Sequence, residues 1–158
     1  MKKHRRLGRL VTILGAISLI VAGCLFTGPG EGSDREALEQ ARARWRAQGY
    51  DSYNFVLQRL CFCGGGVEPA TVVVRAGRRI SVTVVATGQP VPEQWAQYFL
   101  TVEELFDFII DAWDRDAHKV SVQYHATLGY PTSIDIDYLA NAIDEEMAFR
   151  ASSLVPDR

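Results

Sequence analysis

Cys61 and Cys63 are the residues whose type and spacing most directly suggest chemistry. They close the run from Tyr53 to Cys63, which is rich in Tyr, Phe, Val and Leu and predicts a strand. Alternate residues of a strand face the same side, with Cα atoms about 6.6 Å apart at about 3.3 Å per residue. That separation is near the upper limit for a disulfide. A bridge therefore needs a local kink, which the glycines at 64–66 permit.

Three interpretations of this pair stay open in the sequence. A structural disulfide is favoured, because exported proteins fold in an oxidising compartment. Two free buried thiols are the second interpretation. The third is a redox site or a metal site for copper(I) or zinc, which favour thiolate ligands. No methionine or histidine lies near the pair in sequence, and this weakens the metal interpretation.

The N-terminal segment predicts export. Residues 1–23 hold five Lys and Arg and no acid, and their apolar run from Leu10 to Ala22 has 13 residues. A membrane-spanning helix needs about 20 apolar residues, so this run is typical of a signal peptide. Its end, Val21-Ala22-Gly23-Cys24, resembles the lipobox of bacterial lipoproteins, in which the cysteine receives diacylglycerol. We predict a signal peptide at 1–23 and a lipidated Cys24 with a flexible tether at 24–32; a plain signal peptide with a chance cysteine is the alternative.

Cleavage makes the chain acidic. Five of its 17 Lys and Arg leave with the signal peptide, so 12 remain against 19 Asp and Glu, a formal net charge of −7. Such a domain has no basic surface for nucleic acid. The expected partners are the membrane, through the lipid anchor, and an unknown envelope protein or ligand. Leu25 is not the aspartate that retains lipoproteins in the inner membrane of enteric bacteria. We therefore predict the outer membrane in a host with two membranes, and the outer face of the cell membrane otherwise.

Acidic residues near the C-terminus form the other candidate site. Calcium favours clusters of carboxylate oxygens, but carboxylates on a solvated strand need no ligand, so we predict an acidic patch without metal. The patch comprises Asp135, Asp137, Asp144, Glu145 and Glu146. The sequence has no Gly-rich phosphate loop, serine nucleophile motif or zinc-binding helix motif. We expect a domain that is not an enzyme and that carries no cofactor beyond the lipid on Cys24.

Two helices are predicted to position these residues. Ser33 with Glu36 forms a capping box for a helix whose apolar face holds Leu38, Ala41 and Trp45, and which stops near Gly49. Thr101 and Glu104 form a second capping box. The helix that follows has an unbroken apolar stripe: Val102, Leu105, Phe106, Ile109, Ile110 and Trp113. Its off-stripe acids, Asp107, Asp111 and Asp114, are predicted to form a solvated face.

Strand patterns follow each helix. After the strand at 53–63, further strands are predicted at 71–75 and 80–85, then a short helical turn with Trp95 and Phe99. Apolar and polar residues alternate at 120–125, 133–138 and 146–150, which is typical of antiparallel strands with one solvated face. The sequence predicts one α+β domain at 33–158, with the order αβββ-αβββ. Two main helices cover one face of an antiparallel sheet of about six strands.

The hairpin around Gly129 has a predictable register. Polar residues occupy odd positions on both of its strands, and residues opposite each other share a face, so paired numbers sum to an even value. A three-residue loop, Leu128-Gly129-Tyr130, satisfies this rule and pairs Gln123 with Asp135 and Thr127 with Pro131. Asp135 then lies on the solvent face, within reach of Arg150.

Several of these motifs together resemble the domain-of-unknown-function family 6174, small bacterial lipoproteins and secreted proteins. The resemblance covers nearly all of the mature domain. It runs through Trp45, Tyr53, Cys61-Phe62-Cys63, the strand before Gly77, Leu105-Phe106, Gly129-Tyr130-Pro131-Thr132, Ile136-Asp137-Tyr138 and Asp144-Glu145-Glu146. The family pattern has an acid where His125 stands. The resemblance implies a compact exported domain without an assigned activity.

Two functions from different classes follow. The favoured hypothesis is a membrane-anchored exported lipoprotein whose domain is a non-catalytic binding or accessory module of the cell envelope. The alternative is a thiol-redox or metal-handling envelope protein that uses Cys61 and Cys63.

Overall fold

The computed structural model describes residues 31–63, 67–140 and 146–157. Its helices are α1 (Glu31–Gln48), α2 (Glu93–Ala96) and α3 (Val102–Asp114). Its strands are β1 (Tyr53–Cys61), β2 (Ala70–Arg75), β3 (Arg78–Val84), β4 (Lys119–Tyr124), β5 (Pro131–Asp137) and β6 (Glu146–Pro156). Among these residues, no helix combines the length and apolar character needed to cross a membrane.

The six strands form one antiparallel sheet in the order β3-β2-β1-β6-β5-β4. The two halves of the chain therefore each supply three adjacent strands, joined through β1 and β6. Strand alternation produces one apolar face, on which Phe55, Val72, Ile134 and Phe149 are buried. The predicted α+β class, the element order and the antiparallel sheet are confirmed.

Both long helices lie on that apolar face. From α1, Leu38, Ala41 and Trp45 are buried, as the sequence pattern predicted. From α3, the capping box of Thr101 and Glu104 is present, and the buried residues are Val102, Leu105, Phe106, Ile109 and Ala112. The predicted capping box at the start of the first helix is wrong. Helix α1 begins at Glu31, so Ser33 lies inside its first turn rather than at its N-cap. The helix begins two residues before the predicted domain boundary at 33.

Arginines of α1 bind the exposed acids of α3. Arg42 donates to Asp107 at 2.7 Å, and Arg35 donates to Asp114 at 3.2 Å. Arg115 pairs with Asp111 one turn earlier in the same helix segment. Asp107, Asp111 and Asp114 are exposed, as predicted for a solvated face. Exposed ion pairs contribute little individually, about 0–1 kcal/mol.

The hairpin between β4 and β5 keeps the predicted parity but not the predicted register. Gln123 lies opposite Ser133, and Tyr124 lies opposite Pro131 across a bulge, so the strands are shifted by two residues. The turn is longer than predicted: the His125 N–H donates to the Tyr130 carbonyl at 2.8 Å. The cause is tertiary, because Gly129 packs against the backbone of α1.

Gly129 has a φ of +86°, and a Cβ built there would lie 2.2 Å from the Ala41 carbonyl oxygen. Next to it, Tyr130 is buried and its ring meets the Trp45 ring edge-on at 6.3 Å. His125 Nδ1 accepts N–H bonds from Thr127 and Leu128, at 3.3 and 3.1 Å. An acidic side chain at position 125 would offer the same acceptor chemistry to these two N–H groups.

Candidate functional site

The face of the sheet opposite the helices is open to solvent and carries the candidate site. Cross-strand pairing places Ser121, Asp135, Ala148 and Leu60 in one row across four strands. Ala148 is the smallest side chain of that row. It lies between the longer side chains of Asp135 and Leu60, and Ala148 therefore forms the floor of a groove of about 850 Å³.

One wall of this groove is apolar. Leu60, Phe62 and Val67 line it, with exposed fractions of 38%, 70% and 39%. Leu60 is on the solvent side of β1, because Tyr53, Phe55 and Leu57 alternate with it toward the core. Contiguous exposed apolar side chains of this kind mark interaction sites more often than isolated ones do.

The other wall is charged. Arg150 donates to Asp135 Oδ1 at 2.6 Å, and to the carbonyls of Ile134 and Phe149 at 3.2 and 2.9 Å. The predicted proximity of Asp135 and Arg150 is thus confirmed. Ser133 donates its hydroxyl to Asp135 Oδ2 at 3.0 Å. This ion pair is held rigidly and its charges neutralise each other.

A second row of charges is less balanced. Lys119 lies opposite Asp137, and Asp137 lies opposite Glu146. Two carboxylates opposite each other repel, so this arrangement is unfavourable for the isolated domain. Within the described ranges neither carboxylate has an ion pair within 4.0 Å, although Asp137 Oδ1 accepts the Leu139 N–H at 3.0 Å. Of the predicted acidic patch, Asp135, Asp137 and Glu146 come together here, whereas Asp144 and Glu145 lie outside the described residues.

Cys61 and Cys63 form a disulfide beside the groove. Their Cα atoms are 5.1 Å apart, less than the extended separation. Strand β1 ends at Cys61, so the chain leaves the strand conformation between the two cysteines. The bridge makes Phe62 the tip of a short cross-linked loop, and Phe62 lines the groove together with Cys61.

The polar groups that line the groove are mostly charged. Its described polar groups are one ion pair, a lysine, a serine and two carboxylates, with no histidine among them. In the parts of the chain that the structure describes, no three His, Cys, Asp or Glu residues are arranged to hold a metal ion. The groove therefore suits a ligand that is partly cationic and partly apolar.

A buried polar cluster lies on the other side of the sheet. Glu103 accepts the Trp45 Nε1–H at 2.9 Å and the Tyr53 hydroxyl at 2.6 Å. The Tyr53 oxygen in turn accepts the Val102 N–H at 3.0 Å. Burial, and then the Glu103 hydrogen bond, raises the pKa of the Tyr53 phenol well above its usual value. The phenol therefore stays a donor, and the cluster joins α1, α3 and β1 rather than performing chemistry.

Sequence reasoning found the acids of the site but not its apolar half. Leu60, Phe62, Val67 and Ala148 were not singled out. The alternation of the strand could have indicated Leu60, because it has an even number whereas the core residues of β1 have odd numbers. Nothing local indicates that Ala148 would be the groove floor, because this depends on which side chains lie beside it on the neighbouring strands.

Comparison with known proteins gives a family without an assigned activity. A family model described as a family of unknown function (DUF6174) matches residues 37–156. The match includes every described residue that lines the groove. Neither the curated proteins nor the solved structures give a match to the chain.

Proposed function

The chain belongs to the DUF6174 family of unknown function, and we propose that it is an exported lipoprotein whose domain binds a partner on the open face of its sheet without catalysing a reaction. The observation that carries the binding part is the groove, with its apolar wall and its two carboxylates that form no ion pair with another described residue. We propose a membrane-anchored position outside the cytoplasm, in the outer membrane where the host has two membranes.

The lipid anchor is supported by the sequence before the domain. Val21-Ala22-Gly23-Cys24 has the residue types that a lipoprotein peptidase and a diacylglycerol transferase require. The segment lies outside the described residues. Helix α1 begins at Glu31, seven residues after Cys24. A protein held by two or more acyl chains stays on its membrane, because one chain alone binds only marginally.

The proposed partner is an extended peptide segment in which a Lys or Arg lies beside an aromatic or aliphatic residue. Asp137 and Glu146 repel each other, and a cation between them would relieve that repulsion. Leu60 and Val67 would cover the apolar neighbour of the cation. The net charge of −7 on the mature chain would speed the encounter with a basic segment.

Replacing Cys24 tests the anchor. We expect Cys24→Ala to abolish incorporation of radiolabelled palmitate in cells and to leave the protein unprocessed or released from the membrane fraction. Cys63→Ala is the control, because it also removes a cysteine but does so in the mature domain; this variant should be labelled like the wild type. Normal labelling of Cys24→Ala would refute the lipoprotein assignment.

Filling the groove tests the binding site. The probes are fluorescent peptides of about eight residues, long enough for one strand, in which Lys alternates with Phe or Leu. We expect Ala148→Trp to weaken their binding by about tenfold, about 1.4 kcal/mol, measured by fluorescence anisotropy. The same substitution at Ser152, an exposed residue on the same strand and opposite Val56, should change the affinity less than about twofold.

Charge reversal of the probe completes this test. Peptides with Glu in place of Lys should bind much more weakly, because Asp137 and Glu146 would repel them. Equal binding of both peptide types, or equal affinities of Ala148→Trp and Ser152→Trp, would refute the proposed site.

A second candidate function is thiol-disulfide exchange, which the half-buried position of the Cys61–Cys63 bridge beside the groove favours. The reduced pair would give two electrons and two protons to a disulfide of the substrate and become oxidised. We instead expect the bridge to be structural, with no catalysis of insulin reduction by dithiothreitol. Stoichiometric copper or zinc in the purified protein, or insulin reduction lost in Cys63→Ala, would favour the second function.

A further inference from the structure

We propose that the end of the domain at which α1 begins rests on the membrane, with Phe62 and Leu139 inserted among the headgroups of zwitterionic lipids. This inference rests on the proposed anchor at Cys24 and adds a fixed orientation of the domain. It concerns an end of the sheet and not the groove floor on the open face.

The first turn of α1 lies against the last turn of α3. Arg35 donates to Asp114 at 3.2 Å, and its guanidinium lies 5.2 Å from the centre of the Trp113 ring. Helix α3 begins at the opposite end of the sheet, where the Val102 N–H binds the Tyr53 hydroxyl. The first turn of α1 is therefore at the end of the sheet that lies away from the start of β1.

The two most exposed apolar side chains of this region lie at that same end. Arg115 follows α3, and its guanidinium lies 5.0 Å from the centre of the Tyr138 ring. Arg115, Tyr138, Leu139 and Phe62 line one groove of about 540 Å³. Phe62 is 70% exposed and Leu139 is 55% exposed.

The length of the tether brings this end to the bilayer. Six residues lie between Cys24 and Glu31, which makes seven Cα-to-Cα steps. At no more than about 3.5 Å per residue, they span at most about 25 Å. Such a short connection keeps the local concentration of lipid very high, so a small apolar contact that is too weak for a soluble protein can form.

The charges at this end select the kind of lipid. Among the described residues at this end, acids outnumber Arg35, Arg115 and Lys119, so the local charge is net negative and does not attract anionic headgroups. These acids are Asp111, Asp114, Asp116, Asp137 and Glu146. An aromatic ring and a leucine side chain without an excess of basic residues around them instead suit a zwitterionic surface, into which apolar side chains insert to a shallow depth.

Fluorescence quenching by brominated lipids tests the orientation. The lipidated full chain is reconstituted into phosphatidylcholine vesicles with bromine on the acyl chains near the headgroups. Phe62→Trp is compared with Ile80→Trp, because Ile80 is 60% exposed and lies at the opposite end of the sheet. Its neighbour Arg79 pairs with Val74, and Val74 pairs with Tyr53 at the start of β1. The three native tryptophans give the same background in each protein.

We expect the tryptophan introduced at position 62 to lose about half of its emission in brominated vesicles relative to unbrominated ones, as for a side chain at the acyl boundary. The tryptophan at position 80 should lose none. Protein that floats with the vesicles but shows equal quenching at both positions, or none at position 62, overturns the orientation and leaves the anchor standing. Protein that is not lipidated and does not float overturns the proposed anchor and this inference together.

Discussion

Gly129→Ala is expected to lower the free energy of unfolding by about 2–4 kcal/mol, which combines about 1–3 kcal/mol for overpacking with about 1 kcal/mol for a left-handed backbone. The methyl group would lie 2.2 Å from the Ala41 carbonyl oxygen and 2.9 Å from Arg44 Cβ, both on α1. Neither the helix backbone nor the first side-chain carbon can move without shifting α1. A loss of this size is a large part of the roughly 5–15 kcal/mol that stabilises an ordinary domain.

Gly88→Ala is the matched control. Gly88 has a φ of +68°, but a Cβ there would meet nothing within 4 Å. It should therefore show the backbone cost alone, about 1 kcal/mol. Urea unfolding followed by tryptophan fluorescence measures both variants. If the two glycines cost the same, the close approach of Gly129 to α1 is not what fixes this hairpin.

Elements with strong periodic patterns could be predicted from the sequence. The stripe of α3, its capping box and the alternation in β4 and β5 each depend on residues close together in the chain. The parity of the β4–β5 hairpin followed from the same alternation, and Gln123 indeed faces a polar residue. The turn at Gly129, which depends on a long-range contact with α1, was misplaced.

Other differences between the predicted and the observed structure also arise from contacts between residues far apart in the chain. Strand β6 extends to Pro156, well beyond the predicted 146–150, because it pairs with β1 along nearly its whole length. Ser153, with a φ of +55°, accompanies the register shift in that pairing. Arg59 occupies a core position of β1, where its guanidinium lies 4.4 Å from the centre of the Tyr98 ring. Burial lowers the pKa of Arg59 from its usual value, and no sequence pattern identified the aromatic ring that covers it.

One part of the candidate site could be predicted from the sequence and another part could not. Asp135 and its partner Arg150 could be predicted, because parity and the order of strands bring them together. The groove could not, because it exists only where the small side chain of Ala148 lies between those of Asp135 and Leu60 on two different neighbouring strands.

The Glu103 cluster shows how a buried polar group connects the elements that support this sheet. Trp45 comes from α1 and Tyr53 from β1, and their rings meet edge-on at 5.2 Å. They are 3% and 0% exposed, so water cannot replace a lost hydrogen-bond partner easily. Both donate to the carboxylate of Glu103, in the first turn of α3. One side chain therefore satisfies two buried donors that belong to different elements.

Glu103→Ala should consequently lower the free energy of unfolding by about 2–4 kcal/mol, because each buried donor left without an acceptor costs about 1–3 kcal/mol. Glu103→Gln keeps one carbonyl oxygen and should lose roughly half as much. Glu39→Ala, an exposed glutamate on α1, is the control and should change stability by less than about 0.5 kcal/mol. Urea unfolding ranks the three variants. If Glu103→Ala is as stable as Glu39→Ala, the two donors have other acceptors in solution, and the cluster does not hold α1 and α3 on the sheet.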